Sequence, residues 1–191
     1  MRTVFEKADA IPLIAEVFRE LGYEGATFSR ITARTGLSKG SLYHFFPDGK
    51  EEMAGAVLAH IHGWFEAHIF TPLAQGEAGE AIAWMWQAVA EYFHGGGRVC
   101  LVGVFALDET RDRFAQEIRG YFVRWIDVLS EALGRAGMDE VRARAQAESV
   151  VSGIQGALVL ARALDEPEVF ARTLAQLRAG LEAEWPAPGV A

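Results

Sequence analysis

Apolar residues recur every three to four positions along almost the whole chain. No stretch alternates with a period of two between hairpin dipeptides, so the sequence predicts an all-α fold of about nine helices. Ile11, Ile14, Ala15, Phe18 and Leu21 form one stripe of a first helix that stops at Gly22. Pro12 is awkward in a helix interior, so the preferred start is an Asp9 cap that leaves Pro12 in the first turn; a Thr3/Glu6 capping box is the alternative. Thr27 caps a short second helix with Phe28 and Ile31 pointing inward, Gly36 ends it, and Ser38 caps a third helix whose inward residue is Leu42. After Pro47-Asp48-Gly49 a long helix runs from Lys50 to about Phe70, and Thr71-Pro72 reads as a loop. Further helices are expected near 81–93, 99–107, 111–136, 138–163 and 168–184, with Gly95-Gly96-Gly97 as the most flexible point. A helix of about 20 residues spans about 30 Å, enough to join two packed units. The expected organisation is a small helical head over residues 1–48, a larger helical domain over 49–185, and a flexible tail over 186–191.

A hydrophobic content of 51% with 23% charged residues is the balance of a chain that folds. The single Cys100 excludes an intrachain disulfide, no leader pattern opens the chain, and the longest apolar run, near Val99 to Leu107, is far short of the ~20 residues a bilayer requires. The expected location is therefore the cytoplasm, without membrane contact. A net charge of −8 argues against a nucleic-acid partner until the charges are located. Residues 25–50 carry Arg30, Arg34, Lys39 and Lys50 against Asp48 alone, whereas residues 61–191 carry eleven arginines against eighteen acids. The positive excess is local and early in the chain.

Overlapping that stretch is the run TGLSKGSLYHFFPDGKEEM, residues 35–53. Two short helices joined by a glycine turn match the helix-turn-helix arrangement, whose second helix enters the DNA major groove. Such docking requires small residues for close backbone approach, short polar side chains for base edges and phosphates, and a helix N-terminus aimed at phosphate. Ser38, Lys39, Gly40, Ser41, Tyr43 and His44 supply those groups, while Leu37, Leu42 and Phe46 hold the unit together. The same glycines and serines also serve simply to cap and terminate helices, so an all-α small-molecule-binding or enzymatic domain without a DNA role stands beside this reading.

The longer run TFSRITARTGLSKGSLYHFFPDGKEEM, preceded by ELGYEGAT, resembles the N-terminal DNA-binding domain of the TetR family of bacterial transcription regulators. Residues 31–46 follow its pattern I-A-x-x-x-G-L-S-x-G-x-L-Y-x-x-F, with Thr32 at the usual alanine. FPDGKEEM and the later IQGALVLARALDEPEVF are similar to the LmrA/YxaF-like subgroup. The resemblance implies that Thr27 and Lys50 meet phosphates through their helix N-termini and that Tyr43 also contacts phosphate. It further implies that Lys39, Gly40, Ser41 and His44 face the groove, with Ser29 and Arg30 nearby and Lys39 the direct reader of guanine. Phe45 departs from the family, where His or Tyr often touches the backbone.

The resemblance also implies a C-terminal ligand-binding and dimerisation domain, and hence a homodimeric, ligand-responsive repressor on a roughly palindromic duplex operator. Trp64, Phe65, Trp84, Trp86, Phe93, Phe105, Phe122 and Trp125, with Cys100 among apolar neighbours, are raw material for an effector pocket, or simply core. Ser149, Ser152, Gly153, Gly156 and Leu160, together with Phe170, Leu174 and Leu177, are expected at a dimer interface; a tight intramolecular helix crossing is the alternative. His62 and Glu66, with His60 and His68 near, have spacing that a metal site could use, but solvated helix pairs are far commoner, so no metal or cofactor is expected. No nucleophile motif or phosphate loop occurs, and no catalytic residue is assigned.

Overall fold

The computed structural model describes residues 6–107 and 109–184, and every described regular element is helical. The helices are α1 Lys7–Gly25, α2 Phe28–Thr35, α3 Lys39–Phe45, α4 Lys50–Phe65, α5 Thr71–Gln75, α6 Ala78–Tyr92, α7 Leu101–Phe105, α8 Thr110–Arg113, α9 Ala115–Arg135, α10 Glu140–Leu164 and α11 Pro167–Ala183. A π turn, Glu66–Phe70, joins α4 to α5, and a 3-10 turn covers His94–Gly96. Two compact units result: Met1–Gly63 with Leu101–Ile118, and Trp64–Cys100 with Arg119–Ala191. The expected tail, 186–191, and the Thr3 of the alternative cap lie outside the described residues.

The first unit is built around α1. The helix starts before the expected Asp9 cap, because Asp9 accepts the Glu6 N–H (3.0 Å) from the third helical position. Pro12 therefore sits inside the helix, beyond the first turn. Gly22, with φ 68° and ψ 176°, breaks the helix where expected. Phe18 and Tyr23 then pack with Phe105 and Phe114, at ring-centroid separations of 5.8–6.0 Å. Residues 82 to 91 positions further along the chain thus complete the core of the N-terminal unit. Lys50 Nζ lies 4.2 Å over the Tyr23 ring and the Arg113 guanidinium 5.4 Å from it, while Arg113 pairs with Glu51 at 2.6 Å. Burial raises the Tyr23 phenol's pKa, against the opposing pull of Arg113.

The second unit centres on Phe65, whose ring meets Tyr92 (4.8 Å), Tyr121 (4.9 Å), Trp125 (5.2 Å) and Phe70 (5.8 Å). Burying such a ring contributes about 2–3 kcal/mol, and each aromatic pair about 0.5–1.5 kcal/mol more. Thr71-Pro72 is helix, not the expected loop. Pro72 has no N–H for the carbonyl four residues back, and the Trp84 indole donates to that His68 oxygen instead (2.7 Å). Arg124 donates to Glu66 of the π turn (3.1 Å), a pairing that raises the Arg124 pKa. Glu77 caps α6 by accepting from Gly79 N (3.0 Å) and Glu80 N (2.7 Å), and these bonds, that from Glu80 first, hold its carboxyl below the usual range. α10 packs one side along α11 and leaves the other exposed, and by length and composition it is apolar enough to cross a membrane.

Gly95-Gly96-Gly97 is not a loose joint. Gly96 has φ 106° and is buried, and a Cβ there would lie 2.6 Å from the Pro167 oxygen and 2.7 Å from Phe170 Cβ. Glycine is present because the start of α11 leaves no room for a side chain. Gly96→Ala is expected to lower stability by about 3 kcal/mol or more, whereas Gly97→Ala, with no contact closer than 3.5 Å, stays within about 0.5 kcal/mol. Denaturant midpoints of the two variants check this, and equal midpoints would refute it.

Candidate nucleic-acid interface

The local sequence fixes α2 and α3 tightly. Thr27 Oγ1 accepts from Arg30 N (3.4 Å) at the start of α2, and Gly36 ends it in the left-handed conformation at φ 72°. Ser38 Oγ accepts from Ser41 N (3.0 Å) at the start of α3 and lies 2.8 Å from Ser41 Oγ. Ile31, Leu42 and Phe46 are fully buried and Leu37 nearly so. With its apolar side committed inward, α3 turns the opposite side to solvent: Ser38, Lys39, Gly40, Tyr43 and His44 are exposed and Ser41 is half-buried. Thr27, Ser29 and Arg30 on the α2 side are exposed as well.

Two features of this face were not read from the sequence. Phe28 stacks on Tyr43 at 4.8 Å with ring planes 14° apart, so the exposed tyrosine is pre-positioned by α2. An aromatic residue on each of the two helices was the available signal. Second, the local positive charge is mostly spent inside the unit. Arg30 Nη1 donates to the Gly25 carbonyl (3.2 Å), Arg34 pairs with Glu20, and Lys50 Nζ donates to the Tyr23 carbonyl (3.1 Å) and reaches Glu24 (3.3 Å). Lys39 makes no ion pair among the described residues and lies 5.8 Å from the Tyr43 ring centroid. Counting cations over residues 25–50 missed Glu20 and Glu24 because both precede that window.

Gly40 has an ordinary negative φ, and a Cβ there would meet nothing closer than the Ser38 hydroxyl at 3.8 Å. Glycine inside a helix costs about 0.5–1 kcal/mol relative to alanine. The protomer therefore gains nothing from glycine here. Behind the face, Lys7 donates to Glu52 (2.7 Å) and Asp48 N–H to the same carboxylate (3.1 Å), bonds that hold the Glu52 carboxyl below its ordinary range. Phe45 is half-buried beside His44 and Phe46.

The expected effector residues are only partly brought together. Phe65, Phe93 and Trp125 join one aromatic cluster in the second unit, and Trp64 stacks on His68 at 4.5 Å. Phe122 is half-buried against Tyr121 (5.0 Å), and Cys100 is buried. Phe105 does not belong with them: its ring lies in the first unit among Phe18, Tyr23 and Phe114. Trp86 lines a separate groove of about 720 Å³ between α6 and α11, with Trp84, Phe170 and Leu174. Of the expected dimer residues, Ser149, Ser152, Gly156 and Leu160 share an exposed side of α10. Phe170 and Leu174 are buried within the protomer, and Gly153 faces Leu177, where a Cβ would meet the leucine at 2.8 Å. Among the described residues no cluster of His, Cys, Asp and Glu could hold a metal ion, and Glu66 accepts from Arg124 and Thr71.

Such a two-helix unit with a solvent-facing polar helix defines a helix-turn-helix protein. Residues 13–57 match the family described as bacterial regulatory proteins, tetR family, and residues 78–176 match the C-terminal domain of LmrA/YxaF-like transcriptional regulators. The chain belongs to the TetR family of transcriptional regulators, with a C-terminal domain of the LmrA/YxaF-like type. It is 28% identical over 182 residues to the uncharacterised HTH-type transcriptional regulator Rv0196 of Mycobacterium tuberculosis, covering 90% of this chain and 92% of that one. It is 39% identical over 54 residues to the uncharacterised HTH-type regulator YxaF of Bacillus subtilis, covering 25% and 28%. The same fold is seen in TetR regulators from Legionella pneumophila (TM-score 0.77, 20% identity, 94% and 99% coverage) and Chloroflexus aurantiacus (0.74, 21%, 92% and 93%). Its family and relatives regulate transcription and are not enzymes.

Because α3 is held by one cap and one buried face, Ser38→Ala should cost about 1 kcal/mol and Leu42→Ala about 2–5 kcal/mol. Urea denaturation followed by circular dichroism reads both, and a Leu42 variant as stable as the parent would overturn this account of α3.

Proposed function

We propose that the protein is a homodimeric repressor that binds a roughly palindromic operator and is released by a small apolar or aromatic effector held in the second unit. The observation that carries the DNA half is the exposed face of α3, above all a helical Gly40 that nothing within the protomer requires. A backbone bared at that point suits close approach to a duplex. In this reading Lys39 addresses guanine in the major groove, with Gly40, Ser41 and His44 against base edges. Tyr43, Thr27, Ser38 and the N-terminus of α4 at Lys50 face phosphates, and Ser29 and Arg30 flank them. Site of action is the cytoplasm, where the chromosome is.

The dimer half draws on α10. Val141, Val159, Leu160 and Leu164 are exposed on a helix whose Ser149, Ser152 and Gly156 present small side chains. On a roughly palindromic operator the two α3 helices of such a dimer would meet successive major grooves about 34 Å apart. For an effector to shift the balance from 1:99 to 99:1 it must favour the released form about 10⁴-fold.

Lys39→Ala is expected to weaken operator binding by about 1–3 kcal/mol, roughly 5- to 150-fold. Gly40→Ala should raise stability by about 0.5–1 kcal/mol and yet weaken binding. Gel shifts on DNA upstream of the protein's own gene measure both; a Gly40 variant that is more stable and binds undiminished would sink the major-groove assignment. A Cβ at Gly156 has open space, so Gly156→Glu should leave the protomer folded and halve the mass found by sedimentation. An unchanged mass would exclude α10 as the dimer face.

A further inference from the structure

Phe28 does not behave as a core residue. Ile31, one turn further along α2, is fully buried, whereas Phe28 is half-buried at the rim of the exposed face. Its ring lies flat on Tyr43, with centroids 4.8 Å apart and planes 14° from parallel. Its far edge comes up against Gly49, where a Cβ would meet Phe28 Cζ at 3.8 Å. The ring is thus seated between a side chain of α3 and the backbone of the turn that opens α4.

Tyr43 is 46% exposed, and an unsupported side chain there would spread over several rotamers. A side chain that must be immobilised on binding weakens the complex by the freedom it loses, and one held beforehand does not. The stack holds this one. An aliphatic residue at position 28 would cover the same apolar surface but offer no flat face, leaving the phenol free to turn.

We infer that Phe28 is a positioning residue for DNA binding: it aims the Tyr43 hydroxyl at a backbone phosphate and touches no nucleotide itself. This rests on the exposed face of α3 being the DNA-binding face. The probe is the duplex that the full-length wild-type protein selects from a randomised pool. Phe28→Leu should weaken binding to it about three- to tenfold, and Phe28→Tyr, which keeps a flat ring, should bind as the wild type does. The deciding background is Tyr43→Phe, which retains the stack and removes the hydroxyl being aimed. There Phe28→Leu should cause no further loss. A Phe28 that merely stiffened α3, or touched the duplex directly, would weaken the Tyr43→Phe protein by the same factor as the wild type, and that result overturns the inference alone. Where Phe28→Leu fails to fold, the Tyr43 ring protons of the wild type decide. They are expected upfield in the free protein, shielded by the face of Phe28, and still upfield on the duplex; unshielded positions in either state overturn the inference. Selection of no duplex, or Tyr43→Phe binding as tightly as the wild type, overturns the phosphate-facing role of Tyr43 and the inference together.

Discussion

A seven-residue helix has no stability of its own in water, and α3 exists only because its neighbours hold it. The Ser38 cap supplies one of the bonds its first turn lacks, Leu42 is fully buried beneath it, and the Phe28–Tyr43 stack fastens its outer edge to α2. The cap acts from the end, Leu42 from the inner side and the aromatic stack from one edge. The outer side is therefore free to carry residues chosen for something other than folding, and Gly40 is the clearest instance.

The unit that presents α3 is not made from the N-terminal residues alone. Phe105 and Phe114 complete an aromatic core begun by Phe18 and Tyr23, and Arg113 adds a cation over Tyr23 with its charge met by Glu51. The chain passes between the two units at three points: within α4, between Cys100 and the start of α7, and within α9. A helix transmits displacement along its axis more faithfully than a flexible linker, which suits a protein whose proposed task is to report one event at a distant place.

Electrostatics at the interface is more economical than composition suggests. Three of the four cations between residues 25 and 50 are turned onto carboxylates or carbonyls of the unit itself, and these contacts organise the face. Exposed ion pairs of this kind are worth little energetically, so they can be given up to a phosphate at small cost.

The helical class, the breaks at Gly22 and Gly36, the caps at Thr27 and Ser38 and the inward residues Ile31 and Leu42 were all legible in the sequence. Each is decided within a turn or two of chain, by periodicity, by a short hydroxyl side chain or by a positive φ. The same local logic gave the candidate face of α3. Local rules misjudged Thr71-Pro72 and the triple glycine, because what settles them is distant: the Trp84 indole supplies the bond that Pro72 cannot, and α11 closes over Gly96. They also grouped Phe105 with the effector aromatics and Phe170 with the dimer face, since an apolar ring records that it will be buried but not against what. Which aromatic meets which and which cation is spent are properties of side chains brought together from remote positions, and only the tertiary structure decided them.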